Sequence, residues 1–335
     1  MSMCSDTYVT ERHRCHYLCA GEVSHVPIIF VHGWPELSLS WRHQLPYFAD
    51  LGYRAIAPDM RGYGKSSVYR TLDAYAQEQV VKDLIDLADG LDIDQAIWVG
   101  HDWGAATVSN IARHHADRCL GIANLCVPYH TIERGWAGLL PYVDRALYPE
   151  DEFPGGQWEY QFYYEEHFDE ATRAFDADPE QLVKLLFRKG DPDGAGKRAG
   201  TAMTRKDGGW FGGGEMPKRS ADSDVVTEQD VMQYADALRE NSFFGPDAYY
   251  MNHGPNADYV SRAERHELDM PVLFLHARYD QTCETLSSRL AEPMRQLCSQ
   301  LTEVTLNTGH WMAQEAPLQV NEALDHWLAS EVSHP

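Results

Sequence analysis

The chain has 335 residues and a formal net charge of −23 at pH 7, with 51 acidic against 28 basic side chains. So acidic a protein repels a phosphate backbone, and we expect no nucleic-acid partner. Hydrophobic residues make up 44% of the chain, as in globular proteins. The sequence contains no run of about 18 apolar residues, so we expect no membrane span.

The amino-terminal segment MSMCSDTYVTERHRCHYLCAG carries charges and lacks the apolar run of a signal peptide. The seven cysteines are an odd number and form no CxxC pair. We therefore expect reduced thiols and a cytoplasmic protein. No HExxH motif or Cys/His spacing indicates a metal, and we expect neither a metal nor a cofactor.

Strand and helix signals alternate along the first third of the chain. Short apolar runs predict strands, whereas residues 75–91 have apolar side chains at helical spacing. The predicted strands cover residues 26–31, 54–58, 95–99 and 120–126. This alternation is typical of a mostly parallel sheet with helices on both faces.

The alternation stops near Pro128 and resumes near Met270, where two more strands and a final helix are predicted at 272–276, 302–306 and 317–330. The segment between is rich in aromatic residues. It also contains a Gly-rich, charged stretch that is too long for an ordinary connection. We therefore predict a core built from residues 1–127 and 270–335, an inserted, mainly helical cap at 128–269, and a loop at 189–224.

The stretch VGHDWGA, residues 99–105, follows a predicted strand and precedes a predicted helix. This is the pattern of a nucleophile elbow, but Asp102 stands where a serine is usual. A serine that attacked an sp³ carbon would form an ether, which water does not cleave, whereas a carboxylate forms a cleavable ester. Asp102 therefore favours the opening of an epoxide or the displacement of a halide. The alternative is that Asp102 only caps the following helix.

Three further features are expected if Asp102 is a nucleophile. The backbone N–H groups of Trp34, in HGWP after the first predicted strand, and of Trp103 are predicted to form an oxyanion hole. His310, in TGHW after the last predicted strand, is the candidate base. Asp280, which closes HARYD, is the candidate acid that orients it. The chain order of nucleophile, acid and base is the one this type of elbow requires.

Four other residues lie beside these motifs. His101 precedes the predicted nucleophile, and we interpret it, with His32, as a supporting residue and not a catalyst. Pro35 and Trp311 are predicted to contact the substrate.

The motifs resemble the epoxide hydrolases of the α/β-hydrolase fold, from about residue 25 to 330. The matching stretches are HGWPELSLSWRHQLPYFADLGYRAIAPDMRGYGKSS, VGHDWGA, PVLFLHARYD and TGHWMAQEAPLQVNEALDHWL. The resemblance implies hydrolysis of an apolar epoxide to a vicinal diol, with water as the second substrate. We expect a monomer or a homodimer, and the sequence leaves that choice open.

The resemblance further implies two cap tyrosines that hold the epoxide oxygen. Tyr160 in WEYQFYYEE and Tyr250 in GPDAYYMN occupy the matching positions, although Tyr163, Tyr164 and Tyr249 lie close by in sequence. The chemistry needs such groups, because ring opening leaves an alkoxide that a phenol can stabilise and protonate.

Three alternatives stay open. A haloalkane dehalogenase shares the aspartate and the tryptophan that follows it, but it lacks the tyrosine pair. Fluoroacetate dehalogenases carry an arginine where Trp103 stands. A non-catalytic binding protein of this fold would be expected to lose part of the Asp102, Asp280 and His310 set, which is complete here.

Overall fold

The computed structural model describes residues 3–332. Eight strands form one sheet in the order β1-β2-β4-β3-β5-β6-β7-β8. They are β1 Cys4–Val9, β2 Arg14–Ala20, β3 Val26–Val31, β4 Tyr53–Pro58, β5 Ala96–His101, β6 Cys119–Leu125, β7 Leu268–Ala277 and β8 Cys298–Leu306. The β1–β2 and β2–β4 pairs are antiparallel, and the other five pairs are parallel.

Helices lie in the connections between the parallel strands and after the last strand. They are α1 Gln44–Asp50, α2 Gln77–Gly90, α3 Trp103–His114, α4 Trp136–Leu139, α5 Glu159–Asp176, α6 Pro179–Leu186, α7 Glu228–Asn241, α8 Phe244–Ala248, α9 His253–Ser261, α10 Glu292–Leu297, α11 Met312–Glu315 and α12 Pro317–Glu331. None of the helices within residues 3–332 is both long enough and apolar enough to cross a membrane.

The burial pattern explains the sheet. Every residue of β5 is buried, and so are all but one of β6, because parallel strands have helices over both faces. The edge strand β1 is mostly exposed. The helix α2 buries the apolar stripe Val80, Val81, Leu84 and Leu87. The mostly parallel, helix-flanked sheet that the alternation predicts is therefore confirmed.

The chain between β6 and β7 adds no strand to the sheet. It contains six of the helices, α4 to α9, and two short 3-10 turns, Pro192–Gly194 and Gly200–Met203, within the predicted loop at 189–224. This insertion begins at the carboxyl end of β6 and ends at the start of β7. Its residues Tyr160, Trp210 and Tyr250 line a cavity together with Asp102, so the insertion covers the sheet edge at which β5 ends.

The hairpin of β1 and β2 corrects the expectation for the cysteines. Cys4 pairs opposite Cys19 in the hairpin, and a disulfide joins them. The expectation of seven reduced thiols is wrong for this pair, because cysteine spacing does not reveal which residues a hairpin places opposite each other. The disulfide also removes the cysteine argument for a cytoplasmic location. The free cysteines are Cys15, Cys119, Cys126, Cys283 and Cys298, all buried.

Candidate active site

Asp102 lies in a sharp turn between β5 and α3, with φ of 52° and ψ of −122°. This backbone conformation is strained for a residue with a side chain. The flanking glycines permit it. A Cβ on Gly100 would lie 2.5 Å from the carbonyl oxygen of Gly104, and a Cβ on Gly104 would collide with the carbonyl of Val31. The small residues of the motif are thus required by close packing of the turn.

Asp102 is 7% exposed. The N–H of Trp34 donates to its Oδ1 at 2.8 Å, and the backbone N–H of Trp103 helps to lower the pKa of the carboxyl. Burial raises the pKa of Asp102, against the opposing influence of His310, His101 and these N–H groups. Asp102 precedes α3 but makes no side-chain capping bond, which weakens the alternative that it is only a helix cap.

His310 and Asp280 lie together at the carboxyl ends of β7 and β8. The Nδ1 of His310 lies 2.6 Å from Asp280 Oδ2, and its Nε2 lies 3.8 Å from Asp102 Oδ2. The other Asp280 oxygen accepts the N–H groups of Thr282 and Cys283 at 3.0 and 2.9 Å. These bonds fix the carboxylate, which in turn fixes the imidazole so that one nitrogen points at Asp102.

His310 and Asp280 each stabilise the charged form of the other. Burial alone would lower the pKa of His310, but the Asp280 carboxylate overrides it and raises that pKa well above its ordinary value. Burial alone would raise the pKa of Asp280, but His310 holds it below its ordinary value. The resting pair therefore favours an imidazolium beside a carboxylate.

His101 supports the site through a buried ion pair with Glu36, a residue that the sequence did not single out. The Nδ1 of His101 donates to Glu36 Oε2 at 2.7 Å, and its Nε2 donates to the carbonyl of His310 at 2.8 Å. Despite burial, which opposes both charges, their attraction raises the pKa of His101 to about 10 and lowers that of Glu36 to about 2. Glu36 also accepts the N–H of Gly33 at 2.9 Å. It therefore ties the loop of Trp34 to the loop of His310.

His32 lies under the same loop as a neutral imidazole. Its Nε2 accepts the N–H of Met60 at 2.9 Å, so its Nδ1 carries the proton and donates to the carbonyl of Gly33, also at 2.9 Å. Burial lowers its pKa. Pro35 is buried after a cis peptide bond with Trp34 and does not line the cavity described next.

A cavity of about 190 Å³ lies between the sheet edge and the insertion. Its lining residues are Trp34, Asp102, Tyr160, Leu186, Thr201, Trp210, Tyr250, Thr282, Cys283, His310 and Trp311. The structure therefore brings most of the predicted site residues to one space, and Trp311 is among them. Asp280 and His101 do not line the cavity, but both form hydrogen bonds to His310, which does.

Tyr160 and Tyr250 lie on the insertion side of this cavity. Their ring centroids are 5.4 Å apart and nearly perpendicular. Burial raises the pKa of each phenol, so both keep their protons and remain donors. The neighbouring Tyr249 instead donates its hydroxyl to the carbonyl of Arg61 at 3.1 Å and does not line the cavity. The geometry therefore favours Tyr250 over Tyr249.

The sequence did not indicate Trp210, which lines the cavity, or Asp247, which holds the lining residue Trp34 from behind. Trp210, in the loop at 189–224, stacks against Trp34 with centroids 6.0 Å apart. Asp247 is fully buried and accepts the indole N–H of Trp34 at 3.0 Å and the hydroxyl of Thr172 at 3.1 Å. Burial raises the pKa of Asp247 to about 8. No local pattern pointed to either residue, because their partners are distant in sequence.

Within residues 3–332, two groups of three side chains have potential metal-ligating atoms close together: His101, Cys126 and His310, and Asp280, Cys283 and His310. Both groups share the predicted base.

Comparison with known proteins identifies the family. The alpha/beta hydrolase fold profile matches residues 26–317. The chain belongs to the α/β-hydrolase fold family. Its topology agrees, since the solved Epoxide Hydrolase A from Mycobacterium thermoresistibile superposes with a TM-score of 0.80 at 28% identity, covering 98% of this chain and 99% of the other.

Within this family, the sequence relatives described next are epoxide hydrolases. Epoxide hydrolase A of Mycobacterium tuberculosis is 31% identical over 314 residues, which is 92% of each chain. Bifunctional epoxide hydrolase 2 of Sus scrofa is 28% identical over 96% of this chain, which spans about half, 54%, of that longer protein. The resemblance to epoxide hydrolases that the motifs predict is thereby confirmed.

Proposed function

We propose that this protein hydrolyses an epoxide to a vicinal diol through an ester on Asp102. The observation that carries the proposal is the pairing, across one cavity, of a carboxylate at the elbow with the phenols of Tyr160 and Tyr250. A carboxylate is the nucleophile that yields a cleavable product from an sp³ carbon. Protonated phenols supply the hydrogen bonds that a leaving alkoxide requires.

In the first step, an Asp102 oxygen attacks one epoxide carbon. The carbon–oxygen bond of the ring breaks, and an ester forms. The departing alkoxide takes a proton from one phenol while the other remains a hydrogen-bond donor. Because burial raises the pKa of both phenols, each holds its proton until the ring opens.

In the second step, His310 removes a proton from water, and the hydroxide attacks the carbonyl carbon of the ester. The oxyanion that develops is stabilised by the N–H groups of Trp34, already 2.8 Å from the carboxyl oxygen, and of Trp103, the residue next to the nucleophile. The tetrahedral intermediate then collapses, the carbon–oxygen bond to the diol breaks, and the leaving alkoxide takes the proton that His310 holds. The proton left on the Asp102 carboxyl returns to the phenolate formed in the first step. His310 must be neutral for this step. Esterification removes the Asp102 charge that lies 3.8 Å from its Nε2, which favours the neutral form when it is needed.

The insertion at 128–269 acts as a cap in this proposal, over a core formed by residues 1–127 and 270–335. Its aromatic side chains cover the cavity, exclude bulk water and hold the epoxide oxygen. The lining is dominated by tryptophan, tyrosine and leucine side chains, which favours an apolar epoxide as the substrate. The names of the relatives agree with this substrate class.

A single turnover in ¹⁸O-water tests the covalent step. The nucleophilic oxygen comes from Asp102, so the first diol is expected to be unlabelled and the label is expected in Asp102. Peptide mass spectrometry locates the label in Asp102. Label that appeared entirely in the first diol would indicate direct attack by water.

Parallel assays with a haloalkane test the dehalogenase alternative, because a dehalogenase would release halide and leave the epoxide intact.

A further inference from the structure

Cys283 lies beside the predicted base, and the proposed reaction does not use it. It follows Asp280 by three residues, and its backbone N–H donates to Asp280 Oδ1 at 2.9 Å. Its side chain lines the active-site cavity, and its thiol is free. The sulfur, a ring nitrogen of His310 and a carboxylate oxygen of Asp280 all lie within 4.8 Å of one another.

A second thiol, that of Cys126, also lies close to His310 but is poorly placed to receive a ligand. It is fully buried and donates to the carbonyl of His310 at 3.2 Å. The third member of its group, His101, has both ring nitrogens engaged by Glu36 and by that same carbonyl. A ligand that enters the cavity therefore meets Cys283 and not Cys126.

We propose that Asp280, Cys283 and His310 form a binding site for a thiophilic divalent cation such as Zn²⁺ or Cd²⁺. One thiolate, one imidazole and one carboxylate are a ligand set that zinc accepts, with the fourth position left to water. Metal–sulfur and metal–nitrogen bonds of about 2.3 and 2.0 Å bring such ligand atoms roughly 3.5–4 Å apart. Atoms already within 4.8 Å reach that spacing by small side-chain rotations. The cation displaces the thiol proton and the proton that the resting His310 imidazolium carries on the bound nitrogen, and both protons pass to solvent.

Such a cation would stop the second step of the proposed reaction, and this consequence rests on the proposed function. A cation on Nε2 of His310 occupies the lone pair that accepts the proton of water. A cation on Nδ1 replaces the bond to Asp280 that orients the ring, at 2.6 Å in the free protein. In either position the base is lost, while Asp102 keeps its carboxylate. The cation-bound protein should therefore form the ester and fail to hydrolyse it.

The site itself is tested without substrate by titrating the full chain with Cd²⁺ and following the ultraviolet thiolate-to-cadmium charge-transfer band. The wild type should saturate at one cation per chain. Cys283→Ser should lose the band and need at least ~100-fold more Cd²⁺ for occupancy, because even residues that only support a metal ligand contribute 10–100-fold to affinity. Cys283→Ala serves as a second variant if the first is poorly folded.

Cys126→Ala is the matched control and should keep the band. A band that disappeared with Cys126→Ala and survived Cys283→Ser would assign the cation to the other group and overturn the proposal. Absence of a band in the wild type would also overturn it.

Activity provides a separate readout. Cd²⁺ should inhibit epoxide turnover, a chelator should restore it, and each variant is compared with its own metal-free rate. Metal-free protein that binds Cd²⁺ through Cys283 but never opens an epoxide would refute the proposed function and leave the cation site standing.

Discussion

The two sides of the cavity are held by different forces. On the sheet side, Asp102, Asp280 and His310 are fixed by backbone N–H groups and by charged hydrogen bonds as short as 2.6 Å. On the insertion side, Tyr250 is fixed by ring contacts. It stacks on Tyr164 with centroids 5.0 Å apart, and Trp210 lies 5.3 Å from the Tyr160 ring.

The difference assigns different tasks to the two sides. Charge-assisted hydrogen bonds are directional and fix a nucleophile or base to a narrow geometry. Aromatic contacts are individually weak and bury area, so they shape a pocket and hold a donor within it. We therefore expect changes on the sheet side to block a chemical step, and changes on the insertion side to slow one.

The largest expected effect is that of His310→Gln. Loss of a positioned general base costs roughly 10²–10⁴ in rate. Asp102 is untouched, so the ester should form and persist. Intact-protein mass spectrometry should then detect an adduct equal in mass to the substrate.

The control is His326→Gln, an exposed change on α12 that should turn over at the wild-type rate. If His310→Gln hydrolysed its ester as fast as the wild type, another group would be the base. The assignment of ester hydrolysis to the sheet side would then be wrong.

Tyr160→Phe and Tyr250→Phe should each slow ester formation by roughly 10²-fold, the loss expected for one preorganised oxyanion donor. The other phenol remains as donor and acid. The double variant should lose more than either single one, and ester hydrolysis should be little changed in all three. Stopped-flow quenching of tryptophan fluorescence measures the two steps separately.

Tyr163→Phe is the matched control, because Tyr163 lies on the same helix, α5, but does not line the cavity. Ring opening at the wild-type rate in the double variant would reject the tyrosine assignment. A haloalkane dehalogenase would then become the favoured interpretation.

The same contrast explains what the sequence could predict. The run VPIIFV, predicted as a strand at 26–31, is the strand β3 with the same ends, because a buried parallel strand is apolar throughout. The strand β7 begins at Leu268, four residues before the predicted 272, because Asp269 and Pro271 interrupt its apolar run. The polar edge strand β1 carries no such run and was not assigned.

The sheet side of the site follows the same logic. Asp102, Asp280 and His310 each lie within four residues of the carboxyl end of a strand, so their convergence at one sheet edge follows from the parallel order. Glu36 and Trp210 do not follow from any local pattern. Glu36 matters through a bond to His101, 65 residues away, and Trp210 through contacts across the cavity. Residues that act through distant partners require the fold before their roles can be inferred.

A change in stability and not in rate is expected at Asp247, a carboxyl on the insertion side that is held by hydrogen bonds and not by rings. Burial raises its pKa from 3.8 to about 8. Between these values the unfolded chain releases the proton while the folded protein keeps it. The free energy of unfolding therefore falls as pH rises through this window, by up to ~1.4 kcal/mol per pH unit.

Asp247→Asn cannot ionise, so its stability relative to the wild type should increase steadily from pH 5 to pH 8 and level off above that. Urea unfolding at each pH measures the difference. The slope of this stability difference against pH is the informative quantity. The amide accepts only one of the two donors, Trp34 and Thr172, and that loss is the same at every pH.

Asp269→Asn, an exposed change at the start of β7, is the control and should give no comparable slope. A difference that stayed constant with pH would mean that Asp247 is ionised in the folded protein throughout. Its two donors would then outweigh burial, and the insertion side would hold a fixed charge after all.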